Sequence, residues 1–127
     1  MITISGIELD FDTTAPEDIL RFKEAYEAMV EESKGITGPT LSEGDPAFLD
    51  AYVEMLNKEL RLFGNFIDGI FGDGIAEQLL GNKPSLRKVN AVMDEMGDVL
   101  QKDGEEYGLS LKKYQPNRAT RRAQAKN

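Results

Sequence analysis

The chain contains no cysteine and no histidine. Without cysteine there is no disulfide, no thiol nucleophile and no thiolate metal site. Without histidine it lacks the commonest general base and the commonest transition-metal ligand. These two absences point to a non-catalytic protein with neither cofactor nor metal. No apolar run approaches the ~20 residues that a membrane-spanning helix needs. Residues 1–5, Met-Ile-Thr-Ile-Ser, have neither the basic n-region nor the apolar h-region of a signal peptide. The sequence therefore reads as cytoplasmic, with no membrane contact.

Basic residues are scarce and unevenly placed. The chain has 15 basic and 23 acidic residues, a net charge of −8. Six of the fifteen basic residues fall in residues 112–127, which contain no acid, so residues 1–111 hold nine basic and 23 acidic residues, a net of −14. An acidic body thus ends in a +6 tail. The tail is apolar-poor and self-repelling, so it cannot pack as core. The body's charge argues against nucleic acid binding, because phosphate is repelled.

At 127 residues the chain fits one domain and can bury a core without staples. Residues 2–11 alternate Ile2, Ile4, Ile7, Leu9, Phe11, and Ser5-Gly6 between the two runs suggests a tight hairpin turn. Thr14-Ala15-Pro16-Glu17 fits a capping box, with Thr14 as N-cap. Ile19, Phe22, Tyr26 and Met29 then line one helix face. Residues 33–44 contain three glycines and a proline and read as a loop. Asp45-Pro46 opens a second helix, with aspartate as N-cap and proline first. Its row of Leu49, Val53, Leu56, Leu60, Phe63, Ile67 and Ile70 alternates steps of 4 and 3. A neighbouring row adds Phe48, Tyr52, Met55, Leu62 and Phe66, interrupted by Glu59. Two adjacent apolar rows predict a wide buried face and the central helix of the core; a groove or oligomer surface is the sharper alternative. Gly64 and Gly69 either permit close packing or mark a break.

A short helix at 75–80 closes at Gly81, and Pro84-Ser85 opens the last long helix. There Leu86, Val89, Met93, Met96 and Leu100 share a face, and Asp103-Gly104 should fray the end. Tyr107, Leu109, Leu111 and Tyr114 form a semi-apolar strip able to dock back. The expected fold is mainly α: a small helical bundle with a short N-terminal β-hairpin and a basic C-terminal tail. The boundaries are 1–13 for the hairpin, 14–111 for the helical core and 112–127 for the tail.

Three patterns mimic ligand motifs and fail. Gly72-Asp73-Gly74 lacks the third glycine of a dinucleotide fingerprint and follows a helix rather than a strand. Gly81-Asn82-Lys83-Pro84-Ser85 lacks the adjacent Gly-Lys-Ser/Thr of a phosphate loop. Asp10 and Asp12 lack the glycine and the terminal glutamate of a calcium loop. In the tail, Arg118, Arg121 and Arg122 stand at i, i+3 and i+4, so a helix would gather them on one face. They suit either an acidic protein surface or an RNA hairpin.

Four segments carry a family resemblance. They are Ile2-Thr3-Ile4-Ser5-Gly6-Ile7-Glu8-Leu9-Asp10-Phe11, the acidic-aromatic stretch from Glu17 to Glu27, Phe66-Ile67-Asp68-Gly69-Ile70-Phe71-Gly72-Asp73-Gly74, and Asn117-Arg118-Ala119-Thr120-Arg121-Arg122. In this order the chain resembles tail assembly chaperones of long-tailed bacteriophages and prophages of Gram-positive bacteria. The resemblance implies a helical, non-enzymatic protein that binds the tape measure protein and recruits the tail tube protein. It implies action in the host cytoplasm and absence from the mature virion, and supplies no catalytic residues. Tyr26, Phe66 and Phe71, expected to stay partly exposed, are the candidate partner-binding residues together with Arg118, Arg121 and Arg122. Self-association is open as well. The rival reading is a small phage regulator that binds RNA through the tail.

Overall fold

A computed structural model describes residues 1–38 and 44–109. Helix accounts for two thirds of these residues. The order is β1 (Ile2–Ile4), β2 (Ile7–Leu9), α1 (Pro16–Ser33), α2 (Pro46–Phe71), α3 (Ile75–Leu80) and α4 (Leu86–Glu105). The mainly α class with an N-terminal hairpin is as expected.

β1 and β2 pair antiparallel, with Ile4 opposite Ile7 and Ile2 opposite Leu9. Ser5 and Gly6 turn the chain with φ of 50° and 79°. Two positive φ values are what a two-residue turn needs to match strand twist. A hairpin this short is marginal alone. Its inward face of Ile2, Ile4 and Leu9 is buried in the core that the helices share. β1 lies along α4, and Glu95 of α4 accepts the Ser5 backbone N–H at 2.8 Å. Thr13, itself buried, donates from its N–H and its hydroxyl to Asp103 of α4. The hairpin is thus tied to α4 at both ends.

α1 starts one residue later than the capping-box reading allows. Ala15 is the N-cap and offers no side-chain acceptor. Thr14 donates both its N–H and its hydroxyl to Asp12 Oδ1 instead. Those two bonds hold the Asp12 carboxyl below its ordinary pKa, the hydroxyl bond being the larger cause. Asp18, in the first turn, reaches back to accept the Asp12 N–H at 2.9 Å. No side chain caps α1; the Asp12 and Asp18 carboxylates bind the segment leading into the helix instead.

α2 begins as expected: Asp45 accepts from the Ala47 N–H at 2.9 Å and Pro46 is the first helical residue. It runs unbroken through both internal glycines. A Cβ on Gly69 would stand 3.1 Å from Ala25 Cβ, and one on Gly64 would stand 3.9 Å from Ala76 Cβ. Gly69 therefore serves close packing against α1, whereas a side-chain carbon at Gly64 would make only ordinary contact with α3.

Gly72 and Gly74 make the corner into α3 with φ of 121° and 88°, and Asp68 accepts the Ala76 N–H. Ser85 caps α4 through the Lys88 N–H. α4 does not fray at Asp103-Gly104 but continues to Glu105. Gly108 has φ of 74°; its N–H bonds the Glu105 carbonyl, and the Leu109 N–H bonds the Gly104 carbonyl. This is the Schellman stop, with Leu109 folded back onto the helix. Gly104 is buried beneath Leu109, which explains a glycine in the last turn. Of the semi-apolar strip, Leu109 packs against the core while Tyr107 is exposed, and Leu111 and Tyr114 lie outside the described residues.

Candidate protein-docking surface

α1 and α2 run antiparallel, with Ala25 against Gly69 and Ile36 beside Lys58, Arg61 and Leu62. α1 therefore ends level with residues 58–62 of α2. α3 packs at Gly64, and the turn after it, Gly81 to Pro84, shares a groove with Leu60 and Arg61. Residues 46–57 of α2 thus extend beyond α1 and α3. At 1.5 Å per residue this overhang is about 18 Å long.

The overhang changes the meaning of the apolar rows. Phe63, Ile67 and Ile70, in the lower half, are 4%, 0% and 0% exposed. Leu49 and Val53, in the same row, are 67% and 53% exposed, and Tyr52 is 42% exposed. The prediction of one buried face along the whole helix is corrected: only its C-terminal half is core. Leu56 and Leu60 are half-buried and mark the transition. Phe48 stacks on Tyr52 at 6.3 Å with an interplanar angle of 11°, which stiffens the tip. Glu54 and Lys58 pair at 3.4 Å and are both well exposed. By the 3.6-residue period they lie opposite the stripe. Leu49, Tyr52, Val53 and Leu56 therefore form a narrow apolar strip with charge behind it. Isolated exposed hydrophobics need no explanation, but contiguous ones at helical spacing mark a contact surface.

The aromatic residues first singled out for partner binding have different environments. Phe66 is 1% exposed and meets Phe22 edge-to-face at 5.9 Å. It is core, which corrects the expectation that it stays partly exposed. Its row position was right for a helix face, but that part of α2 is roofed by α1. Phe71 is half-buried and packs edge-to-face on Phe11 at 5.6 Å. Tyr26 is half-buried on α1 and packs against the core. Arg118, Arg121 and Arg122 lie outside the described residues. Leu49, Tyr52 and Val53 were read from the sequence as core. The signal that distinguishes them is length: α2 has 26 residues against 18 in α1 and 20 in α4.

Elsewhere, α1 and α2 frame a shallow groove where Ala25, Ala28 and Gly69 leave Met29 and Phe66 as its floor. Arg21 stands at its edge and bonds Asp18 at 2.6 Å, which raises the guanidinium pKa. Among the described residues no group of three or more acids could hold a metal ion, and no helix is long and apolar enough to cross a membrane.

These features define a small, mainly helical protein whose longest helix carries an uncovered apolar strip. The chain belongs to the family of unknown function DUF6673, whose model matches residues 5–125. That span takes in all of the helices, and the arginines of the basic tail as well. No curated protein and no solved structure matches the chain.

Proposed function

We propose that the protein is an assembly chaperone that works by reversible, non-catalytic protein contacts. The observation that carries this reading is the uncovered strip of Leu49, Tyr52, Val53 and Leu56 on the α2 overhang. A long helical client exposes apolar stripes before it is assembled and aggregates through them. An amphipathic helix can cover such a stripe by side-by-side packing, read at i, i+3, i+4 and i+7. The acidic body keeps the complex in solution. A strip of this size makes a weak contact, which suits a client that must later be released.

The four-segment resemblance to phage tail assembly chaperones supports naming the client as the tape measure protein, with the tail tube protein as the subunit recruited. The same resemblance implies work in the host cytoplasm and absence from the finished virion. The test is co-expression with the very long product encoded downstream in the same genome. The client should stay soluble with this chain and co-elute with it. Leu49→Glu with Val53→Glu should return the client to the pellet while the chaperone remains folded. A client equally soluble without this chain, and no complex on size exclusion, ends the proposal.

A further inference from the structure

The overhang has a self-complementary geometry, and we propose that a second copy of this chain pairs with it antiparallel, about a two-fold axis between Tyr52 and Val53. This goes beyond the chaperone reading and does not depend on it.

The stripe steps 4, 3 and 4 through Leu49, Val53, Leu56 and Leu60, the spacing by which two helices pack side by side. The same row, continued into Phe63 and Ile67, is packed inside this chain's own core. Above residue 57 the row continues but the covering helices stop. An axis between Tyr52 and Val53 sets Leu49 of one copy against Leu56 of the other, and Tyr52 against Val53. All four partly exposed apolar residues then meet apolar residues. Glu54 and Lys58 remain on the outer face, already paired with each other.

Direction is decided by charge. Each copy carries a net −8, and the described body is more acidic than the whole chain. Parallel pairing sets two acidic bodies side by side and two helix N-termini together. Antiparallel pairing places the bodies at opposite ends of the shared overhang and opposes the two helix dipoles. About this axis residues 48–57 of the two copies face one another, and residues 46 and 47 of each tip reach the level of residues 59 and 58 of the other.

Size sets the strength. A twelve-residue helix face paired with itself buries on the order of 900 Å² in total, within the range of weak, transient interfaces. The basic tail is a poor alternative cover. Residues 112–127 offer one tyrosine and three alanines against six cations. Self-pairing covers the strip that the chaperone reading gives to the client, so the dimer is the resting form and the client must displace a copy.

The chain's lack of cysteine makes the test direct. Sedimentation of the purified full-length chain should show average mass rising with concentration from 14.1 kDa toward twice that value. Val53→Glu should hold it at the monomer mass with an unchanged circular dichroism spectrum. Under mild oxidation Val53→Cys should form a covalent dimer. Leu49→Cys and Leu56→Cys should each stay monomeric alone, because like positions are then too far apart for a disulfide, yet cross-link when mixed. Leu49→Cys cross-linking to itself would overturn the antiparallel arrangement. A monomer at every concentration overturns the pairing altogether. So does slow thiol labelling of dilute Val53→Cys, which would assign the strip to the chain's own tail. All readouts use this chain alone, so their failure leaves the chaperone test standing.

Discussion

Leu49 and Phe63 belong to one row of one helix, and the solvent treats them oppositely. Phe63 is 4% exposed and Leu49 is 67% exposed. Truncating Phe63 removes packing that its neighbours can only partly refill, so Phe63→Ala should lower unfolding free energy by roughly 3–5 kcal/mol. Leu49→Ala removes a side chain already in water and should stay within about 0.5 kcal/mol of the parent. Chemical denaturation with unchanged m-values checks both. A large loss for Leu49→Ala would mean the overhang is covered within the monomer. The buried Glu59, 4% exposed, sits at the boundary between these two regimes. In sequence it only interrupts an apolar row; in the structure it marks where the core begins.

The same division holds for whole elements. α2 carries one sequence pattern from end to end but two environments. Helical stability in proteins comes mainly from packing an apolar face, not from propensity. The half that packs against α1 and α3 should therefore outlast the half that extends beyond them. Amide hydrogen exchange should show residues 48–57 opening faster than residues 60–70 by at least about tenfold, corresponding to ~1.4 kcal/mol of local stability. Equal protection along α2 in dilute solution would contradict the overhang. α4 shows the opposite outcome. Its face of Val89, Met93, Met96 and Leu100 is buried throughout, with the hairpin laid along it. An equally regular pattern there found a partner along its full length.

At the scale of the molecule the dominant fact is charge. An acidic body and a +6 tail share one chain. If the tail read RNA, binding would weaken steeply with salt, and Arg118, Arg121 and Arg122 changed to alanine would flatten that slope. The tethered body opposes phosphate, so we expect no tight complex at physiological salt. Electrophoretic mobility shift with structured RNA checks this, and a nanomolar complex with a defined hairpin would reverse the ranking of RNA and protein as partners. The tail's arginines lie within the span matched by the family model.

The sequence by itself determined the elements. Asp45-Pro46 and Ser85 announce helix starts because Asp45 and Ser85 accept N–H groups that a first turn leaves free and Pro46 has none to leave. Ser5-Gly6 announces a turn because it tolerates positive φ. These are local matters, settled by residues within one turn of each other. The cap of α1 was misread for a local reason too: Asp12 competes for the Thr14 hydroxyl, and a pattern of spacing does not rank two acceptors. Only the tertiary structure decided which apolar residues are core. Periodicity tells that a helix has an apolar face; it does not tell how far along that face a neighbour reaches. Leu49, Tyr52 and Val53 were legible as apolar and periodic, and Phe66 equally so. Their fates differ because α1 ends level with residues 58–62 of α2, and burial depends on where the neighbouring chain stops.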